Sequence, residues 1–111
     1  MNVEYGDGRH VIRYGDEPPR EGVKPCANYM YESLARSQYD QVICTVMTGM
    51  GADGTEGIGR LSRAKRVYVI AQNADSCAVY GMPKAAIKAG IVDKELTLSL
   101  IANEITKKVR Q

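Results

Sequence analysis

The stretch Thr48-Gly49-Met50-Gly51-Ala52-Asp53-Gly54-Thr55-Glu56-Gly57 gathers the residue types most able to do chemistry in this chain. Its four glycines permit positive φ and close backbone approach. A helix begun after them aims unpaired N–H groups and a partial positive charge back at the loop. Such a loop suits an anion or a developing oxyanion. Asp53 adds a carboxylate that can orient a histidine, ligate a cation or cap the next helix, and the residues leave all three readings open. Glu56, four positions before Arg60, is explained by a first-turn helix charge paired with that arginine.

Other arrangements are weaker. G-x-G-x-x-G is literally present from Gly49 to Gly54, but the acidic residue that a dinucleotide fold needs about 20 positions later is replaced by Ile70-Ala71-Gln72-Asn73. Asp53 would also repel a pyrophosphate, and no Lys-Ser or Lys-Thr follows the glycines to make a Walker loop. His10, the one histidine, lies in an alternating stretch and reads as a surface or packing group. No serine sits in G-x-S-x-G and no cysteine adjoins His or Asp, so no complete hydrolase triad is visible. Ala71 to Pro83 is dense in side-chain donors, which a capped polar loop explains equally well.

The elements that must position this loop follow from hydrophobic patterning. Gln41 to Met47 is a nearly continuous β-branched and apolar run, expected to be a central strand of a parallel sheet. Ile58, Leu61 and Ala64 recur at helical spacing after the loop, and Val67 to Ala71 is a second apolar run, so 42–71 reads as a right-handed β-α-β unit. In such sheets the functional groups gather at the carboxyl ends of strands, where this loop lies. Pro25 and the spacing of Tyr29, Met30, Ser33 and Leu34 predict a helix over 26–37. Residues 1–25 read as a hairpin or connector, with one strand at Arg9–Tyr14 closed by Gly15-Asp16. A helical turn is expected at Ser76–Tyr80, and a Pro83-led helix over Lys84–Ala89 stopped by Gly90. Ile91-Val92-Asp93 is too short to assign. An amphipathic helix is expected over 97–110, capped by Thr97 or Ser99, with Lys107, Lys108 and Arg110 at its negative end.

Composition bounds the rest. At 111 residues, with 44% hydrophobic and 25% charged, the chain is expected to be one soluble α/β domain, 1–111, with an α/β core over 26–111. A net charge of +2 from scattered Lys and Arg argues against nucleic acid or an acidic membrane surface. No apolar run approaches the roughly 20 residues that span a bilayer, and the N-terminus lacks signal-peptide character, so no membrane insertion and a cytoplasmic location are expected. The three cysteines, Cys26, Cys44 and Cys77, lack ligand spacing and read as thiols, so no metal or other cofactor is expected.

Taken together, Thr48-Gly49-Met50-Gly51-Ala52-Asp53-Gly54, Ala71-Gln72-Asn73 and Tyr80-Gly81-Met82-Pro83-Lys84-Ala85-Ala86 resemble the C-terminal half of the catalytic domain of chemotaxis protein-glutamate methylesterases, the CheB family. The resemblance runs from about Pro18 to the C-terminus, Pro25–Ser33 being similar to the family's proline-led helix. It implies a doubly wound α/β serine hydrolase that removes methyl esters from receptor glutamates, in some members deamidates glutamines, and is controlled by a phosphorylated receiver domain. Asp53 matches the aspartate that orients the catalytic histidine, and Met50 the residue whose N–H helps bind the oxyanion; Thr48, Gly49, Gly51 and Gly54 complete that loop. Gln72, Tyr80, Met82 and Pro83 are candidates for a substrate-side loop.

The resemblance also implies that the family's serine and histidine, and its receiver domain, lie outside this chain, and His10 does not match the catalytic histidine. Where the family has serine and aspartate after the proline, this chain has Cys26 and Asn28, which bears on local capping; Lys65-Arg66 replaces a glycine before the second strand. The expectation is a C-terminal portion of a methylesterase, inactive alone. Its partners would be a methylated chemoreceptor segment and either the missing half of the domain or a second copy, joined at an exposed sheet edge. The rivals are a phosphate- or nucleotide-binding module and an assembly module.

Overall fold

Asp7 and Gly8 both take positive φ, 52° and 78°, which is the backbone of a type I′ hairpin turn. They join β1 (Asn2–Gly6) to β2 (Arg9–Arg13) in an antiparallel pair with Tyr5 opposite His10. The N-terminal segment is therefore a hairpin, but its turn is Asp7-Gly8 and not Gly15-Asp16, and its first strand escaped the sequence patterning. The computed structural model describes residues 1–22 and 26–110, so the expectation for Pro25 lies outside the described residues. No described helix is long and apolar enough to cross a membrane.

The chain divides into two units, Met1–Val42 with Asp53–Val67, and Ile43–Ala52 with Tyr68–Gln111. In the first unit, α1 (Ala27–Leu34) is shorter than the 26–37 expected. Beyond Leu34 the chain tightens into three-residue turns, Arg36 N–H to Ser33 O and Ser37 N–H to Leu34 O, as frayed helix ends do. The hairpin is tied to α1 where Val3 N–H donates to Ser33 Oγ at 2.8 Å. His10 is a packing group: its ring stacks on Tyr39 at 4.0 Å between centroids, Tyr5 lies 4.8 Å away, and Nε2 accepts from Gln38 N–H.

Helix α2 (Thr55–Leu61) packs on α1 and ends before Ala64, which is exposed. Ile58 and Leu61 are buried. The contact is close because Gly57 has no side chain, a Cβ there falling 2.7 Å from the Asn28 Cα and carbonyl oxygen. Arg20 bridges the two helices, bonding Glu32 and Glu56 at 2.7 Å each while lying over the Tyr29 ring. The expected Glu56–Arg60 pair is present at 3.2 Å. The Arg20 hydrogen bond holds the Glu32 carboxyl below its ordinary pKa.

The second unit holds most of a three-stranded parallel sheet in the order β3 (Gln41–Val46), β4 (Arg66–Gln72), β5 (Lys94–Leu96). The β-α-β order from 42 to 71 is as expected, but β4 is central and β3 is an edge, pairing among the described residues only with β4. Cys44 and Val46 are buried, whereas Val42, Ile43 and Thr45 are half-buried. Burial pushes the Cys44 thiol up to about 12. Val69, Ile70 and Ala71 form the buried centre of β4.

Strand β5 was not foreseen, and backbone pairing holds it: Ile70 is registered with Lys94, and Asp93 exchanges bonds with both backbone groups of Val69. The helical turn lies at Ala74–Ser76, not Ser76–Tyr80, because the Asn73 side chain caps it by accepting from Ser76 N–H. Helix α3 (Gly81–Lys88) starts two residues ahead of Pro83 and stops before Gly90, whose φ is 76°. Helix α4 (Leu98–Val109) follows Thr97, whose side chain makes no capping bond; Ser76 Oγ accepts from Leu98 N–H instead. Buried Glu104 accepts from the Tyr68 hydroxyl at 2.6 Å, which lowers the carboxyl and raises the phenol to about 12.

Two glycines of α2 give opposite expectations. Gly57→Ala should cost about 1–3 kcal/mol by overpacking. Gly59, where a Cβ meets open space, should gain about 0.5–1 kcal/mol as Ala. Thermal denaturation of the two variants checks the sign of each.

Candidate functional site

Asp53 belongs to the first unit, and both its carboxylate oxygens are engaged: Oδ2 accepts from Ala27 N–H at 2.7 Å and Oδ1 from Asn28 N–H at 3.0 Å. These are orphan amides of the first turn of α1, which Cys26 at the N-cap does not satisfy. The carboxylate thus caps a helix 25 residues earlier in the chain, not the helix that follows it. The next helix, α2, is capped by Asn28, whose Oδ1 accepts from Gly54 N–H at 3.1 Å and Gly57 N–H at 2.7 Å. Asn28 is 1% exposed, so its two bonds are shielded from competing water, while Asp53 is half-buried.

This arrangement bears on each reading of the loop. An ionised carboxylate has about four acceptor positions, so two bonds fix Asp53 in place and leave it able to accept an imidazole N–H. Anion binding at the start of α2 loses the Gly54 and Gly57 amides, which are committed to Asn28. Among the described residues, no group of three or more His, Cys, Asp or Glu could hold a metal ion. His10 is engaged with Gln38.

Thr48 to Ala52 belong to the second unit and are clamped by the segment 72–82. Thr48 N–H donates to Gln72 Oε1 at 2.8 Å; Thr48 Oγ1 donates to Val79 O at 3.1 Å and accepts from Val79 N–H at 2.9 Å. Gly49 donates to Val79 O and accepts from Met82 N–H, both at 2.9 Å. Gly49 also leaves room for Met82 Sδ, which lies 2.6 Å from where its Cβ would stand. Gly51 has φ 81° and Gly54 φ 97°, conformations that glycine reaches without strain. Met50, between the clamped residues, is 82% exposed.

Of the proposed substrate-side residues, Gln72 and Pro83 are fully buried, whereas Tyr80 and Met82 are half-buried. Desolvation raises the Tyr80 phenol above its ordinary pKa. Sequence reasoning tied Asn28 to capping only at its own helix start, and it passed over Gly81 as a point of close approach. The signal for Asn28 is a good N-capping side chain beside a predicted helix start, but its target lies far along the chain.

The family model for CheB methylesterase matches residues 1–105. The chain is 45% identical over 106 residues to the protein-glutamate methylesterase/protein-glutamine glutaminase of group 3 operon of Rhizobium meliloti, covering 95% of this chain and 30% of that protein. It is 41% identical over 109 residues to the Bacillus subtilis protein-glutamate methylesterase/protein-glutamine glutaminase, covering 98% of this chain and again 30% of the relative. The chain thus spans about 30% of the length of these relatives and aligns with their C-terminal part. The crystal structure of the Thermotoga maritima CheB methylesterase catalytic domain superimposes with a TM-score of 0.88 at 25% identity, covering 96% of this chain and 56% of that one.

Asp53→Ala should lower stability by about 0.5–2 kcal/mol through loss of a helix cap. Asp53→Asn, which keeps one acceptor oxygen, should lose less. Denaturant unfolding with amide exchange at Ala27 and Asn28 reads both; unchanged exchange at those two amides in Asp53→Ala would refute the capping role.

Proposed function

The chain belongs to the CheB methylesterase family, and from that premise we propose that it is the C-terminal portion of a protein-glutamate methylesterase, with glutaminase activity on receptor glutamines as the related reaction. The single observation that carries the reading is a carboxylate, Asp53, fixed by two backbone amides with acceptor capacity to spare. That is what the third member of a serine-histidine-aspartate triad requires.

In this reading a serine oxygen from outside the chain attacks the ester carbonyl of a methylated glutamate, and a histidine, also from outside, takes the serine proton. Asp53 accepts the other imidazole N–H and fixes its tautomer. The developing oxyanion lies against the Met50 N–H, with Thr48, Gly49, Gly51 and Gly54 shaping the loop. The ester C–O bond then breaks, methoxide takes the proton and leaves as methanol. Water hydrolyses the acyl-serine to the free carboxylate. Tyr80 and Met82 flank the receptor segment.

The 111 residues act as one portion of a larger catalytic domain in the cytoplasm, and their partner along β3 is the rest of that domain. Support comes from the sheet, in which β3 is an edge with half-buried β-branched residues, the kind of strand that accepts another. A second copy along the same edge is the rival occupant, and sedimentation of the chain alone separates the two.

Methanol release from methylated receptor tests the activity. The chain alone should release none, and the whole gene product that carries it should turn over, with Asp53→Asn lowering kcat by about 10⁴-fold. Full turnover by the isolated 111 residues, or an unaffected Asp53→Asn enzyme, would sink the reading.

A further inference from the structure

A loop built from Gly49, Met50 and Gly51 has little stiffness of its own, yet a donor that stabilises developing charge must be held in place before the reaction. Within the second unit the bonds to Val79 and Met82 are joined by one buried side chain that holds the first peptide of the loop. Gln72 ends β4 and is 1% exposed, and its carboxamide is used on both sides. Oε1 accepts from Thr48 N–H at 2.8 Å, while Nε2 donates to Ser76 O at 2.7 Å and Ser76 Oγ at 3.2 Å. The Ser76 hydroxyl is itself fixed by donating to Asn73 Oδ1 at 2.6 Å. An acceptor facing Thr48 and a donor facing Ser76 are both needed, and a carboxamide supplies them in one planar group.

From Thr48 the order passes along the chain. The bonds from Thr48 and Gly49 to Val79 and Met82 fix both peptides, and the next N–H is that of Met50, for which no described residue is an acceptor. Gly81 lies close against this peptide: a Cβ on it would stand 3.0 Å from Gly49 O and Gly51 N and 3.3 Å from Met50 Cα. We propose that Gln72, together with Gly81, is a positioning residue that sets the direction of the Met50 N–H. This rests on the Met50 reading given above, and it takes Gln72 away from the substrate and places it behind the loop.

The test has two readouts. In the 111-residue chain, Gln72→Met, and Gly81→Ala as an independent variant, should speed amide exchange and shift the resonances of Thr48, Gly49 and Met50 while leaving Ala27, Asn28 and the α4 amides unchanged. In the whole gene product the same variants should lower kcat about 10- to 100-fold with KM and the pH profile unchanged, a smaller loss than removal of a whole oxyanion donor. Loop amides that do not move in either variant would overturn the positioning role and leave the Met50 reading standing. Loop amides that move with kcat unchanged would instead overturn the Met50 reading, and the catalytic sense of the proposal with it.

Discussion

The exchange between Asn28 and Asp53 is the constraint on which the first unit depends. Each side chain satisfies the start of the other's helix, Asp53 holding the amides of Ala27 and Asn28, and Asn28 holding those of Gly54 and Gly57. Neither helix has a capping side chain of its own. Their close approach at Gly57 brings the four bonds within reach, and the Arg20 bridge to Glu32 and Glu56 ties the same two helices together at the surface. The carboxylate proposed for chemistry is therefore also the group that joins α1 to the loop. A mobile Asp53 would cost the unit the cap that joins its two helices.

A similar economy appears in the second unit, where Ser76 receives Leu98 N–H at the start of α4 and also accepts from the Gln72 carboxamide. Capping at a distance explains much of what was and was not legible in the sequence. The run from β3 through the loop and α2 to β4 was legible because long apolar runs and helical spacing are local signals, strong enough to fix order and type. Strand β5 was not, since Lys94 and Glu95 are exposed and only backbone pairing with β4 makes the segment a strand. The hairpin carried a readable sign in Asp7-Gly8, but β1 shows little apolar alternation to go with it.

The site was legible in its residue types and less so in their uses. A carboxylate among glycines marks a candidate whatever it does, so Asp53 stood out, yet nothing near it in the chain names Ala27 and Asn28 as its donors. The replacement of the family's aspartate by Asn28 bears on capping, and the carboxamide oxygen of asparagine makes both capping bonds. Gln72 looked like a polar loop residue because sequence patterning cannot tell a buried, fully bonded amide from a solvated one.

The most direct measurement of this account is a double-mutant cycle on the 111-residue chain, with Asn28→Ala, Asp53→Ala and the pair compared by denaturant unfolding. Reciprocal capping predicts that the pair is less destabilising than the sum of the singles by at least about 0.5 kcal/mol, as groups sharing one network are. Two effects that add to within about 0.3 kcal/mol, as independent sites do, would contradict it.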